Sequence, residues 1–195
     1  MTPTRLNQIV FPNASIGTKI KQEVKNGRVS SMLLYGPPGT GKTTLGKVIA
    51  SELEITSLAL FHYNGAVQNQ TSDLDALSEK LKNNPVNLLT GPGFNLVIYD
   101  EIDSLSVGPT GALTRLKAYI DRHMDNTRWV FTTNKHDLSK FDQAFLDRLE
   151  VINWDYTNCY ERFERAVQKI IPNTKQAEQL AEKAQGSFRK LLRSI

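Results

Sequence analysis

The sequence predicts an α/β domain with a five-stranded, mostly parallel sheet between helices, followed by a small all-helical unit. Three observations predict it. The glycine-rich turn Gly36-Pro37-Pro38-Gly39-Thr40-Gly41-Lys42-Thr43 joins the apolar run Met32-Leu33-Leu34-Tyr35 to Leu45, Val48, Ile49 and Leu53 at helical spacing. Short apolar runs then alternate with helical patterns, the order a parallel sheet with crossover helices requires. After Trp154 only helical patterns remain.

Taken in order, strands are expected at residues 32–35, 58–63, 96–99, 129–133 and 151–154. Helices are expected at 43–53, 73–82 and 111–123, and the Asn/Pro/Gly-rich stretch 83–94 reads as a loop. Three further helices, 159–171, 175–185 and 188–194, are separated by breaks at Pro172-Asn173 and Gly186-Ser187. The expected division is an α/β unit over 1–155 and a helical lid over 156–195.

With 195 residues, 39% of them hydrophobic and 23% charged, the chain matches an ordinary globular protein with one core and a small satellite. No apolar run approaches the ~18 residues of a membrane span, and Met1 to Gln8 has no apolar stretch typical of a signal peptide. A cytoplasmic location and no membrane partner are therefore expected. Cys159 is the one cysteine; it suits a reducing compartment and reads as a small, semi-buried apolar residue. The net charge of +4 permits contact with nucleic acid without establishing it. His62, His123 and His136 are scattered without metal-ligand spacing and read as ordinary.

The turn fits the phosphate-loop pattern G-x-x-x-x-G-K-[ST], which points to a nucleoside triphosphate. Its glycines allow a tight backbone that aims N–H groups at phosphate oxygens, and the helix that follows turns its positive end toward them. Gly36, Pro37, Pro38, Gly39, Thr40, Gly41, Lys42, Thr43 and Thr44 are the expected nucleotide-binding residues. Lys42 can reach the β- and γ-phosphates and is expected on the solvent side when the loop is empty; the Thr43 hydroxyl can ligate Mg²⁺. The run Asn95-Leu96-Val97-Ile98-Tyr99-Asp100-Glu101 ends a strand in two carboxylates, at the sheet edge where open α/β folds bind ligands. Asp100 is expected to hold Mg²⁺ through its water shell, and Glu101 to polarise the water that attacks the γ-phosphate.

On residues 36–43, 96–101 and Val130-Phe131-Thr132-Thr133-Asn134, the chain resembles the AAA+ ATPases. The resemblance implies further roles. Asn134 would be sensor 1, beside the attacking water, or else an Asn opening a turn. Arg148, in Phe145-Leu146-Asp147-Arg148-Leu149, would be an arginine finger reaching a neighbouring subunit's ATP, or else a helix cap or a partner of Asp147. Arg189, in Gly186-Ser187-Phe188-Arg189, would be sensor 2, with Arg193 as its rival. Val10 and Phe11, in Ile9-Val10-Phe11-Pro12, occupy the place where family members wrap apolar residues around adenine.

Within the family the chain is similar to clamp loaders over about residues 8–192, including the approach to the phosphate loop at 27–36, the helix around Leu113-Thr114-Arg115-Leu116-Lys117, and Asn126-Thr127-Arg128-Trp129. Asn64 matches the polar residue that restrains the catalytic glutamate. The chain departs from the pattern in having Asp147-Arg148-Leu149 where Ser-Arg-Cys or Ser-Arg-Phe is usual, in lacking a Lys-Tyr-Arg-Pro-like box, and in ending where a helical collar would begin. The resemblance implies an ATP-hydrolysing, replication-associated loader that acts in a homo- or hetero-oligomer on a sliding clamp or helicase, with DNA as a further partner. Two alternatives stand beside it: a protein-remodelling factor that does not contact DNA, and an ATP-gated switch with weak hydrolysis. For DNA, Arg115, Lys117 and Arg122 are better candidates than the acidic stretch 67–84, and a solvated helix face explains them equally well.

Overall fold

In the computed structural model, residues 3–84, 92–157, 160–171 and 173–194 are described. Cys159 and Pro172, and the middle of the expected 83–94 loop, lie outside them. The described residues form five strands: β1 (Met32–Tyr35), β2 (Leu60–Asn64), β3 (Asn95–Asp100), β4 (Thr127–Thr133) and β5 (Glu150–Asn153). They form one sheet in the order β2-β3-β4-β1-β5, and every neighbouring pair is parallel. All carboxyl ends therefore point the same way, and β1, β3 and β4 end side by side.

The described residues form eight α-helices: α1 (Ala14–Lys25), α2 (Lys42–Glu52), α3 (Thr71–Asn83), α4 (Ala112–Arg122), α5 (Gln143–Leu146), α6 (Tyr160–Ile170), α7 (Thr174–Ala184) and α8 (Phe188–Leu192). The period-two alternation of the strands divides the interior into two layers. Met32, Leu34, Leu96, Ile98 and Val130 face α1 and α2 through Ile20, Val24, Leu45, Val48 and Ile49. Leu33, Val97, Tyr99, Trp129 and Phe131 face α3, α4 and α5 through Leu74, Leu77, Leu116, Ile120 and Phe145. With both faces covered, β3 is buried at all six positions, so its sequence reads as an unbroken apolar run rather than an alternating one.

Helix α1 and the short α5 have no counterpart among the sequence expectations. Helix α1 was nonetheless legible: Asn13 caps it by accepting from Ser15 N at 2.8 Å, and Ile16, Ile20 and Val24 recur every fourth residue. Strand β2 begins two residues later than expected because the chain is still turning at Ala59, whose N–H donates to Thr56 O.

The C-terminal helices do not form a separate core. Phe163, Val167, Ala177, Ala181 and Leu191 belong to the same buried cluster as Trp154, Phe11 and the α2 leucine Leu45. Tyr156 is the joint. Its ring packs on Phe163 and edge-on to Phe188, each with centroids 5.8 Å apart, and its hydroxyl donates to Val10 O at 2.5 Å.

Candidate nucleotide site

The glycine-rich turn runs from the end of β1 into α2, with Gly41 left-handed at φ 98° as the residue preceding the helix. Among the described residues, no backbone acceptor takes the N–H groups of residues 39–44. They are the unsatisfied donors of a helix start, and they make a ready anion cradle. The loop is braced from behind: the Trp154 indole N–H donates to Thr40 O at 3.0 Å, and Thr40 Oγ1 donates to Pro37 O at 2.9 Å.

Lys42 is not on the solvent side. Its Nζ donates to Gly36 O and Pro37 O, both at 2.7 Å, and the residue is 5% exposed. The loop's own carbonyls are the nearest acceptors for an ammonium at the helix start, so the side chain folds inward. Burial pulls its pKa down to about 8; the Asp100 carboxylate pushes it back up, and the Arg189 charge lowers it further.

Asp100 closes β3 on the α2 side of the sheet, where Leu96 and Ile98 also point. Thr132 lies on the same face of β4, two residues past Val130, the register partner of Ile98. His62 lies two residues past Leu60 on β2, again on that face. The Asp100 carboxylate thus collects three hydrogen bonds. Thr43 Oγ1 donates to Oδ1 at 2.8 Å, Thr132 Oγ1 donates to Oδ1 at 2.9 Å, and His62 Nε2 lies 2.7 Å from Oδ2. His62 is therefore not the isolated histidine its spacing implied. Its contact arises from the pairing of β2 with β3, which local sequence does not reveal.

This donor set fits Mg²⁺. A threonine hydroxyl that gives its proton to Asp100 keeps its lone pairs free for a cation, and a hard hydroxyl–carboxylate pair is the chemistry that Mg²⁺ selects.

Glu101 follows in a left-handed conformation, φ 56°, which turns it out of the strand direction. Its N–H donates to Thr132 Oγ1 at 3.2 Å, and Asn134 Nδ2 reaches its Oε1 at 3.5 Å. Both carboxylates are thus held by residues at the end of β4. Gly65 lets the chain after β2 come this close, since a Cβ there would lie 2.5 Å from Glu101 O. The Asn64 side chain is engaged locally: its Oδ1 accepts from Ala66 N at 2.8 Å.

The C-terminal helices touch the loop directly. Arg189 N donates to Gly39 O at 3.3 Å, which sets the start of α8 on the phosphate loop. Arg193 sits at the far end of that helix as its C-terminal cap. On the N-terminal side, Phe11 is 6% exposed and stands edge-on to Trp154, with centroids 5.6 Å apart. Its ring is core, and the Val10 carbonyl is taken by Tyr156.

Arg148 lies elsewhere. It precedes β5 and so sits at the amino end of the sheet, opposite the phosphate loop. Its Nε and Nη2 donate to Asp121 Oδ1 and Oδ2 at 2.6 and 2.7 Å, and its Nη1 donates to Ala144 O. The acid that pairs with it is Asp121 on α4 and not Asp147, which accepts from Gln143 instead. The α4 cations are also engaged: Arg115 with Asp75 at 2.8 and 2.9 Å, Lys117 with Asp142, and Arg122 over the Tyr119 ring. No helix among the described residues is long and apolar enough to cross a membrane.

Residues 32–154 match the family described as "ATPase family associated with various cellular activities (AAA)". The chain is 27% identical over 97% of its length to replication factor C subunit 3 of Saccharomyces cerevisiae, covering 56% of that protein. It is 31% identical over 61% of its length to replication factor C small subunit 2 of Pyrobaculum aerophilum, covering 36% of it. The chain thus spans between about a third and just over half of these relatives. Among solved structures, the RuvB Holliday-junction branch-migration motor of Thermotoga maritima matches 98% of the chain and 63% of its own length, with a TM-score of 0.69 at 20% identity, a likeness of fold. The extent of the family match and the similarity to replication factor C subunits agree with the clamp-loader-like motifs: the chain belongs to the AAA family of ATPases.

Proposed function

We propose that this chain hydrolyses ATP as a subunit of a replication-associated, clamp-loader-like oligomer, with an α/β unit over 1–155 and a lid over 156–195. The observation that carries the proposal is the pairing of two differently held carboxylates. Asp100 is hydrogen-bonded to Thr43 of the phosphate loop, while the adjacent Glu101 is turned away from it and meets Asn134. One carboxylate is arranged for a cation and the other for a water, a division a hydrolase needs and a simple nucleotide switch does not.

The residues take these roles. The loop N–H groups and Lys42 bind the β- and γ-phosphates, for which Lys42 exchanges its two carbonyl partners. Thr43 and Asp100 hold Mg²⁺, which when bound neutralises phosphate charge. Glu101 accepts a proton from the attacking water, and Asn134 keeps that carboxylate in position. Arg189 contacts the γ-phosphate from the lid. Arg148, remote from its own phosphate loop, is offered to a neighbour's ATP.

The relatives named for replication factor C support a role in replication; a clamp or helicase as partner and DNA as a ligand follow from the resemblance to clamp loaders. The engaged state of Arg115 and Lys117 means that phosphate contact by α4 must first displace Asp75 and Asp142. The test is the ATPase rate with and without primed DNA at low and high salt, alongside the mass in solution with an ATP analogue. ATP turnover, nucleotide-dependent assembly and salt-sensitive stimulation by DNA are expected; a monomer without turnover under all these conditions contradicts the proposal.

A further inference from the structure

We infer that His62 is a positioning residue for the metal-binding carboxylate: its imidazole holds the second oxygen of Asp100 and so keeps the first on Thr43. The inference rests on the proposed Mg²⁺ site at Thr43 and Asp100. An aspartate's last torsion is broad and soft, so a carboxylate at a strand end takes the orientation its hydrogen bonds impose. Thr43 and Thr132 both donate to Oδ1, and among the described residues Oδ2 is left to His62, at 2.7 Å. A carboxylate only accepts, so the imidazole N–H is the donor.

The geometry follows from the sheet. His62 and Asp100 point to the same face of adjacent parallel strands, with His62 paired to Ile98, one pleat before Asp100. The imidazole therefore reaches Asp100 along a diagonal, from the outer strand. The His62 side chain stays 42% exposed, so its contact with Asp100 is not a by-product of deep burial. An apolar residue at position 62 would leave Oδ2 free to swing and weaken the hydroxyl–carboxylate pair that receives the cation. Partners behind a metal ligand commonly change metal affinity by about 10–100-fold.

The test is binding of a fluorescent ATP analogue titrated with MgCl₂, and separately in EDTA, for the parent, His62→Ala and His62→Gln. His62→Ala is expected to raise the Mg²⁺ concentration for half-maximal binding roughly tenfold, with binding in EDTA unchanged. His62→Gln, whose amide nitrogen stands where Nε2 does, is expected to recover most of the loss. An unchanged Mg²⁺ requirement in His62→Ala overturns the inference, as does an equal loss of binding with Mg²⁺ and in EDTA, which marks general damage to the site. A parent protein whose binding ignores Mg²⁺ overturns the metal site itself and this inference with it.

Discussion

Arg148 and Asp121 form a bidentate pair within one protomer, at the end of the sheet opposite the phosphate loop. The pair ties the turn after α5 to α4. Asp121 holds the Arg148 charge and has its own carboxyl drawn below the ordinary range by that guanidinium. With the Asp121 side chain 51% exposed, the link contributes little to stability. Asp121→Ala is expected to cost less than about 1 kcal/mol in urea unfolding. A larger loss would make the pair a structural brace and count against a mobile Arg148.

Glu101 combines its proposed chemical role with a left-handed backbone. Glu101→Gln is expected to bind ATP normally and stop turning it over, because the amide keeps the shape but cannot take a proton from water. Glu101→Gly loses the same chemistry and is expected to raise stability by about 1 kcal/mol, the cost of a side chain in the left-handed region. Thermal or urea unfolding of the two variants checks the second point; turnover at the parental rate in either refutes the first.

On its proposed role, the buried Lys42 is expected to make nucleotide affinity depend on pH. In the free protein its pKa is about 8, and phosphate charge raises it on binding. Below pH 8 the ammonium is already present and affinity is flat. Above it, binding must take up a proton, so Kd is expected to rise by up to about tenfold per pH unit. The free protein behaves oppositely. Between about 8 and the ordinary 10.5 the unfolded chain holds the extra proton, so the Lys42 contribution to stability improves as pH rises. Titration of ATP-analogue affinity from pH 7 to 10 in parent and Lys42→Arg checks it, since the arginine stays charged and removes the rise.

Gly39 joins the loop to the proposed lid. Its φ is 81°, and a Cβ there would meet Ser187 Oγ and lie 3.0 Å from Arg189 Cβ. Gly39→Ala is expected to cost more than about 1 kcal/mol and to push α8 off the loop. Faster proteolysis within the C-terminal helices would report the loosened lid; parental stability and protease resistance would show the contact to be dispensable.

What the sequence disclosed and what it hid divide along the range of the contacts. The loop, the strand carrying Asp100 and the alternation of strands and helices are local patterns, and all were readable. The Thr132 hydroxyl was missed, although its alternation with Asn134 on the same side of β4 was the signal that could have found it. The His62–Asp100 and Arg148–Asp121 contacts cross 38 and 27 residues of chain and arise from strand pairing and from helix packing, so no window of sequence contains them. Phe11 shows a different limit. An aromatic residue near an expected adenine site reads alike whether it meets a base or fills the core, and here Trp154 and Gly17 enclose it.

The central claim is that Glu101 works within a subunit while Arg148 works across to the next. Arg148→Ala is expected to bind ATP yet hydrolyse it very slowly, since a finger contributes about 10³–10⁵ in rate where one operates. Lys42→Ala is expected to lose its own site while keeping Arg148 to offer. The decisive measurement is the ATPase rate of the two inactive variants mixed, after co-assembly with an ATP analogue has been verified. The account predicts partial recovery, from parental-type sites completed by a neighbour's Arg148. Full activity of Arg148→Ala alone, or no recovery in a verified co-assembly, would contradict it.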